Sequence, residues 1–135
     1  MEMNIYEYRN AIKLQTGTYE CEINHPTFGW IPFHATYYDN DEKGLALFNV
    51  LEKDTSIPLE AIEVHIEKQK YRVRYRRDLL LRHHIDPIIS NSFRFNSLDD
   101  TKKEELLNYR QELLDITLQD GFPLNINFPN KPNWI

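Results

Sequence analysis

A single cysteine, Cys21, stands in a chain of 135 residues. No intrachain disulfide can form, so the fold does not depend on an oxidising compartment. Basic excess is also lacking: 16 Lys and Arg stand against 21 Asp and Glu, a formal net charge of −5. That balance argues against bulk binding to nucleic acid or to an anionic membrane surface, which usually draws on a cationic excess. The apolar runs are only a few residues long, far short of a bilayer span. Met1-Glu2-Met3-Asn4-Ile5-Tyr6-Glu7-Tyr8 has neither the basic nor the apolar region of a signal peptide, so a protein made and used in a cytoplasm is expected. Missing as well are Gly-x-Ser-x-Gly, a Gly-rich phosphate loop and His-Glu-x-x-His, which removes the commonest signatures of chemistry. What the chain does have is apolar content, 41% hydrophobic and 13% aromatic, enough to build a core.

Residues 4–8 alternate around Ile5 and predict a short strand. In residues 18–24, Tyr19, Cys21 and Ile23 share one face, with Glu20 and Glu22 on the other, the period of a half-buried strand. Pro26 and Gly29 mark a turn, and Trp30–Thr36 returns as a strand that Pro32 assigns to an edge or to its own start. Residues 18–36 are therefore expected to form a β-hairpin. Asp39 or Asp41 caps a helix over about 41–53, with Leu45, Phe48 and Leu51 at helical spacing.

Between 59 and 77 the apolar parity switches. Ile62, Val64 and Ile66 are even; Tyr71, Val73 and Tyr75 are odd. One uninterrupted strand is excluded, and a hairpin is one solution. A strand over 61–66 followed by a helix over about 70–85 is the other and the preferred one, with Asp86-Pro87 ending the helix because a residue before proline avoids the α region. Residues 86–97 read as a loop. In the next helix, 101–118, Leu106, Tyr109, Leu113 and Ile116 or Thr117 form one stripe, widened by Leu107 and Leu114. Asp99 or Thr101 is its N-cap, Thr101 and Glu104 having capping-box spacing, and Gly121 is the expected C′ residue. Residues 122–135 alternate as an extended segment. The expected fold class is α+β. A small β-hairpin lobe with a short helix (1–57) is joined by a linker or short strand (58–69) to a helical hairpin with an extended Pro-bounded tail (70–135).

Candidate chemistry is thin. Adjacent histidines on a helix point about 100° apart, so His83 and His84 do not share an ion, and neither metal nor cofactor is expected. Cys21 reads as a buried, inert thiol. The pairs Glu20/Glu22, Asp99/Asp100 and Glu104/Glu105 fall on solvated faces or helix starts. The basic run from Lys68 to Arg82, interleaved by Tyr71 and Tyr75, suits single-stranded nucleic acid if it is a strand. As a helix it scatters its charge, and an acidic protein surface becomes the better partner. Phe28 and Trp30, at the hairpin turn, are either core or an exposed anchor. Tyr109 and Arg110 belong to the residue types that dominate interface hot spots, although Tyr109 also fits a core position and Arg110 a pair with Asp78 or Asp86.

Two blocks carry a resemblance. The run Cys21-Glu22-Ile23-Asn24-His25-Pro26-Thr27-Phe28-Gly29-Trp30-Ile31-Pro32-Phe33 resembles a segment near the start of many small tailed-phage proteins. The second block is Arg76-Arg77-Asp78-Leu79-Leu80-Leu81 with Asp86-Pro87, Tyr109-Arg110-Gln111-Glu112-Leu113-Leu114-Asp115-Ile116-Thr117, Gly121-Phe122-Pro123 and Phe128-Pro129. In that order it resembles the C-terminal domain of the phage tail assembly chaperone family. Pro87 and Leu106-Leu107 stand where that family commonly has Trp, Leu114 where it prefers Arg, and Phe128-Pro129 in place of Trp-Pro. The resemblance implies a non-enzymatic protein, without cofactor or membrane partner. It would bind a phage tail or tail-fibre protein and assist its folding or trimerisation in the host cytoplasm. The partner-binding residues expected are Tyr109, Arg110, Leu113, Phe122, Ile126 and Phe128, around a groove between the helices at 70–85 and 101–118, with Phe28 and Trp30 at the hairpin. A permanent virion component, such as a tail or fibre adaptor or tip subunit, is the alternative, and a nucleic-acid-binding regulator is a third reading.

Overall fold

The computed structural model describes residues 5–135, which fall into two compact units, one ending at His65 and one running from Ile66 to Ile135. In the first, the period-two pattern gives strand β2, Tyr19–His25, paired antiparallel with β3, Gly29–Ala35. Gly29, at φ +69°, supplies the left-handed backbone of the turn. Pro32, on β3, faces Glu22 of β2; β3 is an edge strand of the sheet, where a missing N–H is tolerated.

The third strand, β1, is Tyr8–Lys13 rather than 4–8; Ile5–Glu7 are not strand, and Asn4 lies outside the described residues. Its register shifts between Arg9 and Ile12, around Asn10 at φ +55°. A bulge of this kind breaks alternation, so the sequence carried no period-two signal there. Beside β1, the Lys13 N–H donates to Pro58 O at 2.8 Å and the Glu60 N–H to Lys13 O at 2.7 Å, laying a short parallel bridge along the sheet.

Helix α1, Glu42–Lys53, is capped by Asp41, whose carboxylate accepts from the Gly44 N–H at 3.1 Å. It buries Leu47, Phe48 and Leu51 against Tyr19, Cys21, Ile23 and Ala35 of the sheet. Leu45, expected on that stripe, is only half-buried; Leu47 takes the place.

Residues 61–66 are not a strand. Helix α2 runs Ile62–Leu80. Ile62 and Val64 are 46% and 48% exposed, so their alternation recorded no burial. Nor does Pro87 stop the chain. A π-helical turn, Leu81–Ile85, leads into α3, Asp86–Ile89, where Pro87 sits in the first turn. The Asp86 N–H reaches back to Leu81 O, five residues away. This longer reach and the tolerance of a first turn for a residue without N–H together accommodate the proline. The expected loop at 86–97 is instead α3 and α4, Ser92–Asn96, the latter capped by Asn91, which accepts from the Arg94 N–H at 3.1 Å.

Helix α5, Asp100–Leu114, is capped by Asp99, which accepts from the Lys102 N–H at 2.8 Å, so the Thr101–Glu104 box is not its start. It tightens into a 3-10 turn, Asp115–Leu118. Gly121 is therefore beyond the helix and is not its C′ residue. It is needed for closeness: a Cβ there would lie 2.0 Å from the Asn125 carbonyl oxygen. Leu106, Tyr109 and Leu113 pack with Ile85 and Ile88 into the core of the second unit, and Phe128, Trp134 and Ile135 of the tail fold against it.

Candidate partner-binding surface

The stripe on α5 points inward. Leu113 is fully buried and Tyr109 is 3% exposed. The Tyr109 hydroxyl meets His84 Nδ1 at 3.0 Å. Desolvation, opposed by the Arg76 charge, pushes the phenol pKa up. The same burial, with Lys131 and His83 adding positive charge, pulls the imidazole of His84 down. His84 is thus turned into the core and His83 out to solvent, as expected of neighbours on a helical turn. Arg110, next along, is exposed and makes no ion pair with Asp78 or Asp86; Asp78 is held by Arg77 at 2.9 Å.

The tail residues are half-buried. Phe128 lies under Arg76, whose guanidinium carbon is 3.9 Å from the ring centre, and Phe122 has Arg74 at 5.6 Å. Val73, Arg76, Pro123, Ile126 and Phe128 line a shallow groove of about 330 Å³ between α2 and the tail. The tail is pinned in two further places. Gln119 exchanges two hydrogen bonds, both 2.8 Å, with the backbone of Asn127, and Trp134 Nε1 donates to Glu105 at 2.7 Å.

Phe28 and Trp30 belong to the first unit. Phe28 is 71% exposed at the hairpin tip, stacked on His25 at 4.9 Å. Trp30 is half-buried beneath Arg9, 4.1 Å from the ring centre. Of the eight expected residues, then, Tyr109 and Leu113 support a surface from beneath. Arg110, Phe122, Ile126, Phe128, Phe28 and Trp30 reach solvent in whole or in part.

Sequence reasoning passed over several exposed apolar side chains of the second unit. Phe93 is 84% exposed, Leu118 76% and Leu124 55%, while Tyr71 and Tyr75, already read as interleaving the basic run, are 69% and 55% exposed. The tyrosine pair had a signal, aromatic residues four apart on one helix; the others had none.

Cys21 is buried, and desolvation followed by the nearby Glu22 charge raises its thiol to about 11. No group of three or more His, Cys, Asp or Glu side chains able to hold a metal occurs among the described residues. No helix among them is long and apolar enough to cross a membrane.

Residues 70–133 match the family model described as phage tail assembly chaperone protein. Neither the search of curated proteins nor that of solved structures finds a match. The matched span begins inside α2, takes in the core of Ile85, Ile88, Leu106, Tyr109 and Leu113 together with Phe128 of the tail, and ends at Asn133, just before Trp134. Over residues 70–133 the chain is thus similar to the phage tail assembly chaperone family.

Proposed function

We propose that the protein is a non-enzymatic assembly chaperone that binds a phage tail or tail-fibre protein and assists its folding or trimerisation. The observation that carries this reading is the family match over 70–133. Its geometry is in keeping. A small, well-packed core holds apolar side chains such as Phe93, Leu118 and Leu124 at the surface. Fibre chains expose strand edges and apolar surface before they trimerise, and such surface aggregates unless it is covered.

In this reading residues 70–135 carry partner binding and residues 1–57 serve as an accessory lobe. Arg110, Phe122 and the groove lined by Ile126 and Phe128 receive the partner, Tyr109 and Leu113 hold that surface in shape, and Phe28 and Trp30 offer a second anchor. The protein acts in the host cytoplasm during assembly.

Co-expression with the tail or fibre protein tests the proposal. Soluble trimer is expected to fall when this protein is omitted and to recover when it is supplied. Unchanged yield would falsify chaperone action. Stoichiometric recovery from purified particles by mass spectrometry would replace it with a permanent virion role.

A further inference from the structure

We infer that the solvent face of α2 and of the π turn that follows it, from Tyr71 to Arg82, docks a carboxylate-rich segment of the partner protein. The inference deepens the chaperone reading and rests on it for the kind of protein that supplies the segment.

The face lies opposite buried Val73 on the helix. Tyr71 and Tyr75, one turn apart, stack with centroids 6.1 Å apart and planes at 16°. Both remain more than half exposed, so they form an aromatic ridge that nothing in the second unit covers. Around it the charge is lopsided. The span 68–82 holds seven basic residues and one acidic, Asp78, in a chain of net charge −5.

Some of that charge is already used within the unit. Arg77 holds Asp78 at 2.9 Å and Lys70 holds Glu67 at 3.2 Å, while Arg74 and Arg76 lie over Phe122 and Phe128. Arg72 and Arg82 make no ion pair among the described residues and flank the ridge. Tyrosine and arginine side by side are the residue types that concentrate binding energy at protein interfaces. A guanidinium presents paired donors that match a carboxylate. Nucleic acid fits less well. The two rings lie against each other and leave no slot for a base, and the chain as a whole repels phosphate.

The test is fluorescence anisotropy with the full chain and a labelled copolymer of glutamate and tyrosine, set beside poly-lysine and a short oligothymidylate. The copolymer is expected to bind and poly-lysine not. Arg72→Glu with Arg82→Glu, and separately Tyr71→Ala with Tyr75→Ala, should each weaken binding about tenfold or more. All four positions are exposed, so both variants should keep the circular dichroism and Tm of the parent; Arg72→Gln with Arg82→Gln replaces the charge reversal if it misfolds. No copolymer binding, or binding that neither double variant weakens, overturns the inference. Preference for oligothymidylate with a steep salt dependence overturns it in favour of nucleic acid. A dimer that Tyr71→Ala with Tyr75→Ala disperses overturns it in favour of a second copy.

Co-expression separates this from the chaperone reading. If trimer yield needs the protein but Arg72→Glu with Arg82→Glu restores it fully, the reading stands and the surface falls. If the copolymer results hold while omission changes nothing, the surface stands and the reading falls.

Discussion

The hydroxyl of Tyr109 and Nδ1 of His84 lie 3.0 Å apart, joining α5 to the π turn at the edge of the second core. The folded state holds His84 below the ordinary imidazole value of 6.5, first through desolvation and then through the Lys131 and His83 charges. Folding therefore favours the neutral ring. Its contribution is fully present above 6.5, the unfolded value, and is lost as pH falls from there through the lowered folded value. Tm should drop as pH falls below about 6.5, and His84→Gln should flatten that part of the profile. Asp54 and Glu22, both held below their ordinary values of 3.8 and 4.5 by hydrogen bonds, lose their own contributions as pH falls from those values. A parent profile level across the neutral-to-mildly-acid range would sink the assignment.

Neighbouring positions on α5 should separate stability from binding. Leu113→Ala empties a fully buried site and should cost about 2–5 kcal/mol in urea unfolding. Arg110→Ala, at an exposed site, should stay within about 0.5 kcal/mol of the parent and yet lower the yield of soluble partner in co-expression. An Arg110 variant that is equally stable and equally effective would remove that residue from the proposed surface.

Gly121→Ala should destabilise the tail by about 1–3 kcal/mol, because the new Cβ would sit 2.0 Å from the backbone oxygen of Asn125 and the turn must open to admit it. The measurement is the urea midpoint at unchanged slope. No shift in midpoint would mean that the turn opens freely.

Cys21 should resist thiol reagents at neutral pH. Its thiol is buried and raised to about 11, so the folded protein holds almost no thiolate. Labelling should be slow in buffer and fast in denaturant. Because the folded value lies above the ordinary thiol value of 9.0, the effect is opposite to that of His84: stability is lost as pH rises past 9.0 toward the folded value. Rapid native labelling would place Cys21 at the surface.

The parts legible from sequence are those in which periodicity and burial coincide. Tyr19, Cys21 and Ile23 alternate and are all buried; Leu106, Tyr109, Leu113 and Ile116 follow helical spacing and are all buried. Where they part, the reading fails. Ile62 and Val64 alternate like a strand yet face solvent from a helix, and β1 hides its pairing behind a left-handed Asn10. The candidate surface was harder still. An apolar stripe looks the same whether it faces a core or a partner, so Tyr109 and Leu113 could not be told from interface residues. The tail's Phe128 gave no hint that Arg76 would cover it. Tyr71 and Tyr75 were visible as a pair, but their exposure was not.

The widened turn at Leu81–Ile85 also sets the helical phase. At about 100° per residue, an unbroken α-helix would carry Ile85 about 120° around from Val73. One surplus residue in the turn winds it back by about 100°, so Ile85, and Ile88 after it, arrive on the buried side. A homologue one amino acid shorter between Leu81 and Ile85 would point the same two isoleucines inward along a straight rod, so a single-position gap at this point of an alignment would leave the core intact.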